Sequence, residues 1–172
     1  MSTEQTPTEL VFRCLERLRL HFPHWGETFV RGPGLYVAVV DPDVLPTYAQ
    51  PLGTNRWPVA ETPTVFDAEQ LYRTATAVAY AMDGAVVVEP DGRIREQMVR
   101  FFDLDDERTA DDAGPEYRPW MGTRHVSAVE TSLRAGVCAT LTLSEETGRV
   151  TMFRDGRIVS ELPAAEAVPT HE

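Results

Sequence analysis

MGTRHVSAVETSLRAGVCATLTLSEETGRVTMFRD, residues 121 to 155, passes from a tight turn into a helix, a strand, an acidic turn and a second strand. Val126, Val129 and Leu133 recur at i, i+3 and i+7, the spacing of one helix face, and Gly136 suits the left-handed residue that ends a helix. Val137 to Leu143 is an apolar strand, Ser144 to Gly148 a turn, and Arg149 to Phe153 a second strand. Asp155-Gly156 then makes a hairpin into Arg157 to Leu162. Gly122, Thr123, Arg124 and His125 stand at the mouth of the helix. There the free backbone N–H groups and the positive end of the helix dipole favour a bound anion such as a phosphate.

Outward from this stretch, helices and strands alternate. Met1 to Pro7 reads as a disordered lead-in, and from Thr8 the residues Leu10, Val11, Cys14, Leu15 and Leu18 mark an amphipathic helix that ends before Pro23. His21, His24 and Trp25 fall in a turn-rich connection and read as packed aromatics and surface histidines, because two histidines alone are a weak metal signal. LYVAVV, Leu35 to Val40, is a buried strand bounded by Gly34 and Asp41-Pro42. Asp41 to Pro63 holds five prolines and no periodicity, so it reads as a long loop, plugged onto the body by Tyr48 and Trp57. Asp67 caps a second helix with Gln70 three residues on, and Leu71, Ala75, Val78 and Met82 form its inward stripe. Asp83-Gly84-Ala85 leads into the buried run AVVV. Glu89 to Gly92 turns the chain back, and Arg93 to Phe102 is expected as a partly exposed antiparallel strand. The acidic crowd from Asp103 to Gly114 reads as a solvated loop that could attract a divalent cation beside a phosphate.

At 172 residues and 42% hydrophobic content the chain is expected to be one domain with its own core. The architecture this implies is α/β, a mixed twisted β-sheet flanked by helices, spanning residues 8–162 with a core at 35–159 and a flexible tail at 163–172. The net charge of −11 and pI near 4.8 exclude a general nucleic-acid or anionic-membrane surface. Any polyanion must therefore be met locally. Every basic residue is Arg. Cys14 and Cys138 read as ordinary core cysteines. No segment has the length and apolarity to span a bilayer, and the reading expects a soluble, cytoplasmic, stand-alone domain.

Three polar segments lie at the ends of apolar elements, where a scaffold presents chemistry. Asp83 could bind a divalent metal or take a proton from a hydroxyl, and Gly84 beside it permits close approach of a ligand. The second segment is Gly122 to His125, and the third is Ser144-Glu145-Glu146.

In this order, DGA, then GTRH opening a helix, then a strand and SEETG, the chain resembles the diadenylate cyclase domain, also called the DAC or DisA-N-type domain. The resemblance covers roughly Leu35 to Val159. It implies the DAC-domain fold and condensation of two ATP into cyclic di-AMP with release of two pyrophosphates, dependent on Mg²⁺ or Mn²⁺. It further implies two protomers meeting face to face, each holding one ATP. On this resemblance Asp83 supports the metal and the attacking hydroxyl, and Gly84 and Ala85 shape the nucleotide pocket. Gly122, Thr123, Arg124 and His125 hold the triphosphate, and Ser144, Glu145 and Glu146 border the phosphate and metal.

The chain also departs from that pattern. The family's phosphate motif is usually Arg-His-Arg, whereas Val126 stands at the third position here. Ala81-Met82 precedes DGA where a His or other polar residue is common, and Ile94-Arg95-Glu96 follows where small residues are usual. Losing a charge-assisted contact to a transition-state phosphate lowers the rate by orders of magnitude. The alternative expectation is therefore a catalytically degenerate domain that binds ATP or cyclic di-AMP as a sensor.

Overall fold

The computed structural model describes residues 4–104 and 114–165. Alternation of side chains along one strand organises the whole. β1 (Leu35–Val40) is buried at every position, so it must be covered on both faces. Leu35, Val37 and Val39 point into one apolar layer, and Tyr36, Ala38 and Val40 into the other.

The first layer lies under α1 (Pro7–His21) and α3 (Ala68–Ala81), which pack against each other. Leu15 and Leu18 of α1 and Leu71, Ala75 and Val78 of α3 join it. The small residues of α3 allow the close approach that its alanine-rich sequence implied. Asp67 accepts a hydrogen bond from the Gln70 backbone N–H, as a capping residue does. α1 starts earlier than its apolar spacing indicates: Thr6 and Glu9 form a reciprocal capping box, with Pro7 in the first turn. Pro7 therefore belongs to the helix and not to a loose lead-in, of which residues 1–3 lie outside the described residues.

Seven strands form one sheet in the order β2-β4-β3-β1-β5-β6-β7. β3 (Ala85–Val88) runs parallel to β1, through a crossover that contains α3, and the other pairings are antiparallel. β5 (Val137–Leu143), β6 (Val150–Arg154) and β7 (Arg157–Leu162) make the expected meander. Asp155 and Gly156, with φ of 50° and 73°, form its last turn.

Four expectations are corrected. The segment 41–63 is not a structureless loop: a short helix, α2 (Leu45–Tyr48), is followed by β2 (Ala49–Arg56), an edge strand against β4 (Gln97–Phe101). Pro51 is tolerated there because an edge strand leaves one row of backbone groups unpaired. β4 starts at Gln97 rather than Arg93, since residues 93 and 94 make only isolated bridges to Thr64 and Val88. α4 (Thr123–Ser132) ends at Leu133, and its buried residues include His125, Ala128, Val129 and Ser132, rotated from the expected stripe. Val126 and Leu133 are only partly buried. Cys14 is buried, but Cys138 is exposed. The crowded acidic segment falls largely at 105–113, and the expected tail largely at 166–172, both outside the described residues.

Candidate functional site

α4 covers the second face of the sheet and does not reach its whole length. Beyond its N-terminus an open cleft of about 1010 Å³ is left at one sheet end. β1 and β3 begin at this end, and β4 and β5 finish there, so the cleft is walled by Asp83-Gly84-Ala85, Val99 to Phe101, Asp103 and the turn Ser144 to Thr147. The remaining wall is Trp120 to Ser127, the mouth and first turn of α4. All the residues expected from sequence to form a site line this one cleft: Asp83, Gly84, Ala85, Gly122, Thr123, Arg124, His125, Ser144, Glu145 and Glu146.

Each is placed by a local cause. Gly84 has φ +95°, and a Cβ there would lie 2.5 Å from a Leu52 methyl and 3.0 Å from the Val99 carbonyl oxygen, so only glycine fits between α3 and β3. Asp83 is thereby left at the rim, its side chain 86% exposed, while its carbonyl accepts a 2.8 Å hydrogen bond from Asn55 of the edge strand. Gly122 occupies the N-cap of α4 and offers no capping side chain, so the first-turn N–H groups face the cleft without an internal acceptor from the cap. In the β5–β6 turn, the Ser144 hydroxyl accepts from the Glu146 and Thr147 N–H groups at 3.3 Å, and Gly148 closes the turn with φ +74°.

Both signs of charge line the cleft, with Arg100, Arg124 and Arg149 set among Asp83, Asp103, Glu130, Glu145 and Glu146. Arg124 reaches across to Asp83 at 3.3 Å. His125 is buried, and its Nε2 makes no hydrogen bond although it lies at the cleft wall. Burial, then the charges of Arg124 and Arg149, press its pKa down to about 4, so the imidazole is neutral near pH 7. Among the described residues no three acidic, histidine or cysteine side chains cluster as a metal cage.

Several wall residues carry no signal in the motifs. Arg149 lies with its guanidinium carbon 4.1 Å from the Trp120 ring centroid, and Trp120 stands perpendicular to His125 with centroids 5.1 Å apart. At the floor the Tyr36 hydroxyl meets Ser127 at 3.2 Å, and burial pushes its pKa up to about 12. Gly34 lets Arg124 pass: a Cβ there would sit 2.6 Å from Nη1 and 2.9 Å from the Glu145 Cβ. Gly34 and Trp120 both flank apolar or motif residues in sequence, but nothing in their spacing connects them to Arg124 or His125.

Solved structures share the fold. The fold is similar to that of DacA from Staphylococcus aureus, solved as a double cysteine mutant, with TM-score 0.53 and 19% identity over 88% of this chain and 83% of that one. It is equally similar to a hypothetical membrane spanning protein from Bacillus cereus, with TM-score 0.53 and 19% identity over 88% of this chain, which spans 61% of the Bacillus chain. No curated protein matches the sequence. Among the described residues no helix is long and apolar enough to cross a membrane. The sequence matches the family described as "DAC: DisA bacterial checkpoint controller nucleotide-binding" over residues 60–158, more than half of the chain and every motif of the cleft, and the protein belongs to that family.

Proposed function

We propose that the protein is a diadenylate cyclase, condensing two ATP molecules into cyclic di-AMP with release of two pyrophosphates. The observation that carries this is the convergence in one cleft of Asp83, the uncapped mouth of α4 with Arg124 and His125, and the Ser144 to Thr147 turn. Phosphoryl transfer chiefly demands positioning and charges aimed at phosphate oxygens. Free N–H groups at a helix mouth, an arginine fork and a turn hydroxyl are donors of that kind. Asp83, exposed at the rim, is placed to accept from a ribose hydroxyl or to share a divalent ion.

The donor set suits Mg²⁺ or Mn²⁺ arriving with the nucleotide. Such ions take one or two carboxylates plus phosphate oxygens and water, and Asp83 with the phosphates would satisfy this without a protein cage. When bound, the ion supplies charge neutralisation at the phosphates. Each cleft would hold one ATP, and two protomers would meet cleft to cleft so that each 3′-hydroxyl reaches the other α-phosphate.

One observation favours a second reading, a domain that binds ATP or cyclic di-AMP without cyclising it. Val126 lines the cleft at a position from which an arginine would donate, and contributes no donor. Purified protein incubated with ATP and Mn²⁺, with cyclic di-AMP read by mass, separates the two. Product supports the cyclase; nucleotide binding with no product across metals and salt concentrations supports the sensor.

A further inference from the structure

We propose that Arg149, held against Trp120, is a second polyphosphate-binding cation of the cleft and takes the place of the cation that position 126 lacks. This rests on the nucleotide reading and deepens it.

Arg149 is placed for the role by its position. It lies between Gly148 and the first residue of β6 and lines the cleft together with Val126, Arg124 and the Ser144 to Thr147 turn. Its side chain is only 18% exposed and forms an ion pair with the half-exposed Glu161 at 3.6 Å, a separation longer than a hydrogen bond. That one loose ion pair leaves most of the five guanidinium N–H donors for a ligand in the cleft. Arg124 and Arg149 both act on the His125 ring, so two cations converge on one point, at which a buried Nε2 also lacks a partner. In a chain of net charge −11 the two guanidiniums, each holding a single carboxylate, and the unpartnered Nε2 gather donors at one wall of the cleft, where an anion with several oxygens can accept from them.

Trp120 explains how a lone arginine keeps its direction. One ring face lies under the guanidinium at 4.1 Å, in the range of a cation–π contact, and the ring is fixed at 89° to His125. That face is therefore not free to stack on a nucleobase. The Trp120–Arg149 pair reads the phosphate chain and leaves base selection to other walls. Lysine could not substitute, because its point charge neither stacks flat nor presents a planar fork.

The test is calorimetric titration of the full chain with ATP and with sodium tripolyphosphate, for wild type, Arg149→Gln, Trp120→Leu and the double variant Arg149→Gln/Val126→Arg, with thermal unfolding measured on each. Arg149→Gln is expected to weaken both ligands about 10- to 100-fold, as loss of a charge-assisted contact does. Trp120→Leu should weaken them less, and Val126→Arg should restore most of the loss. If the wild type binds ATP and Arg149→Gln binds it equally well, the inference is overturned and the nucleotide reading stands. If affinity falls together with the unfolding temperature and Val126→Arg restores neither, Arg149 is structural and the inference is again overturned. Tripolyphosphate binding that depends on Arg149, without ATP binding, keeps the inference and removes ATP as ligand. A wild type that binds neither overturns both.

Discussion

The guanidinium of Arg124 lies 3.3 Å from the carboxylate of Asp83, joining the first turn of α4 to the start of β3 across 41 residues of chain. Because the Asp83 side chain is 86% exposed, such a pair is worth about 0–1 kcal/mol. It therefore adds little to stability, and the proposed cyclase activity is where its loss should be read. Asp83→Asn and Arg124→Ala should each leave the denaturant midpoint nearly unchanged and abolish cyclic di-AMP formation. Product from both variants would remove these residues from the site.

Gly34 separates β1 from the Arg124 side chain, and a Cβ at 2.6 Å from Nη1 and 2.9 Å from the Glu145 Cβ leaves no room for both. Gly34→Ala should cost about 1–3 kcal/mol through local overpacking, and displace Arg124 enough to weaken ATP binding at least roughly tenfold. Unchanged affinity in isothermal titration would show that Arg124 has another way into the cleft.

Trp57 pins the chain between the edge strand and α3, fully buried with its indole N–H donating to the Thr62 carbonyl at 2.8 Å. Trp57→Ala should lower stability by about 3–5 kcal/mol in urea unfolding, among the largest single costs in this fold. Trp57→Phe keeps most of the ring but orphans that carbonyl, at about 1–3 kcal/mol.

His125 is buried neutral, its pKa lowered to about 4 from an ordinary 6.5. Between those values the unfolded chain takes up a proton that the folded chain refuses, so the contribution to stability is complete above about pH 6.5 and is lost as pH falls toward 4. His125→Gln should flatten the decline in unfolding temperature from about pH 7 to about pH 4.5 relative to wild type. An identical decline in both would place the acid sensitivity elsewhere.

Two protomers of net charge −11 repel each other at low ionic strength. If the cyclase dimer forms, sedimentation should show it tightening from about 0.05 to 0.5 M salt, as the screening length contracts. A dimer that loosens over that range would point to cross-protomer ion pairs as its main attraction.

The legible parts of the sequence were those governed by local rules. LYVAVV and AVVV are continuous apolar runs and could only be buried strands. The Asp67 cap, the Asp155-Gly156 turn and the polar segments at element ends followed from backbone chemistry alone. The edge strand at Ala49–Arg56 was hidden because its proline and polar residues break periodicity, and an edge strand with one solvated side needs none. The α4 stripe was misjudged for a different reason. His125, polar by type, is buried, while Val126, apolar by type, faces the cleft, because the stripe that α4 turns to the sheet is His125, Ala128, Val129 and Ser132.

What the sequence determined by itself was which polar segments would stand at the ends of apolar elements and which runs had to be covered on both sides, since these depend on neighbours within a few residues. The tertiary structure alone decided that Gly34 yields space to Arg124, that Asp83 meets Arg124, and that Trp120 and Arg149 close on His125. Those contacts join residues remote in the chain. They exist because the parallel pairing of β1 with β3, and the antiparallel pairing of β1 with β5, bring the start of two strands and the end of a third to one sheet end beneath the mouth of α4.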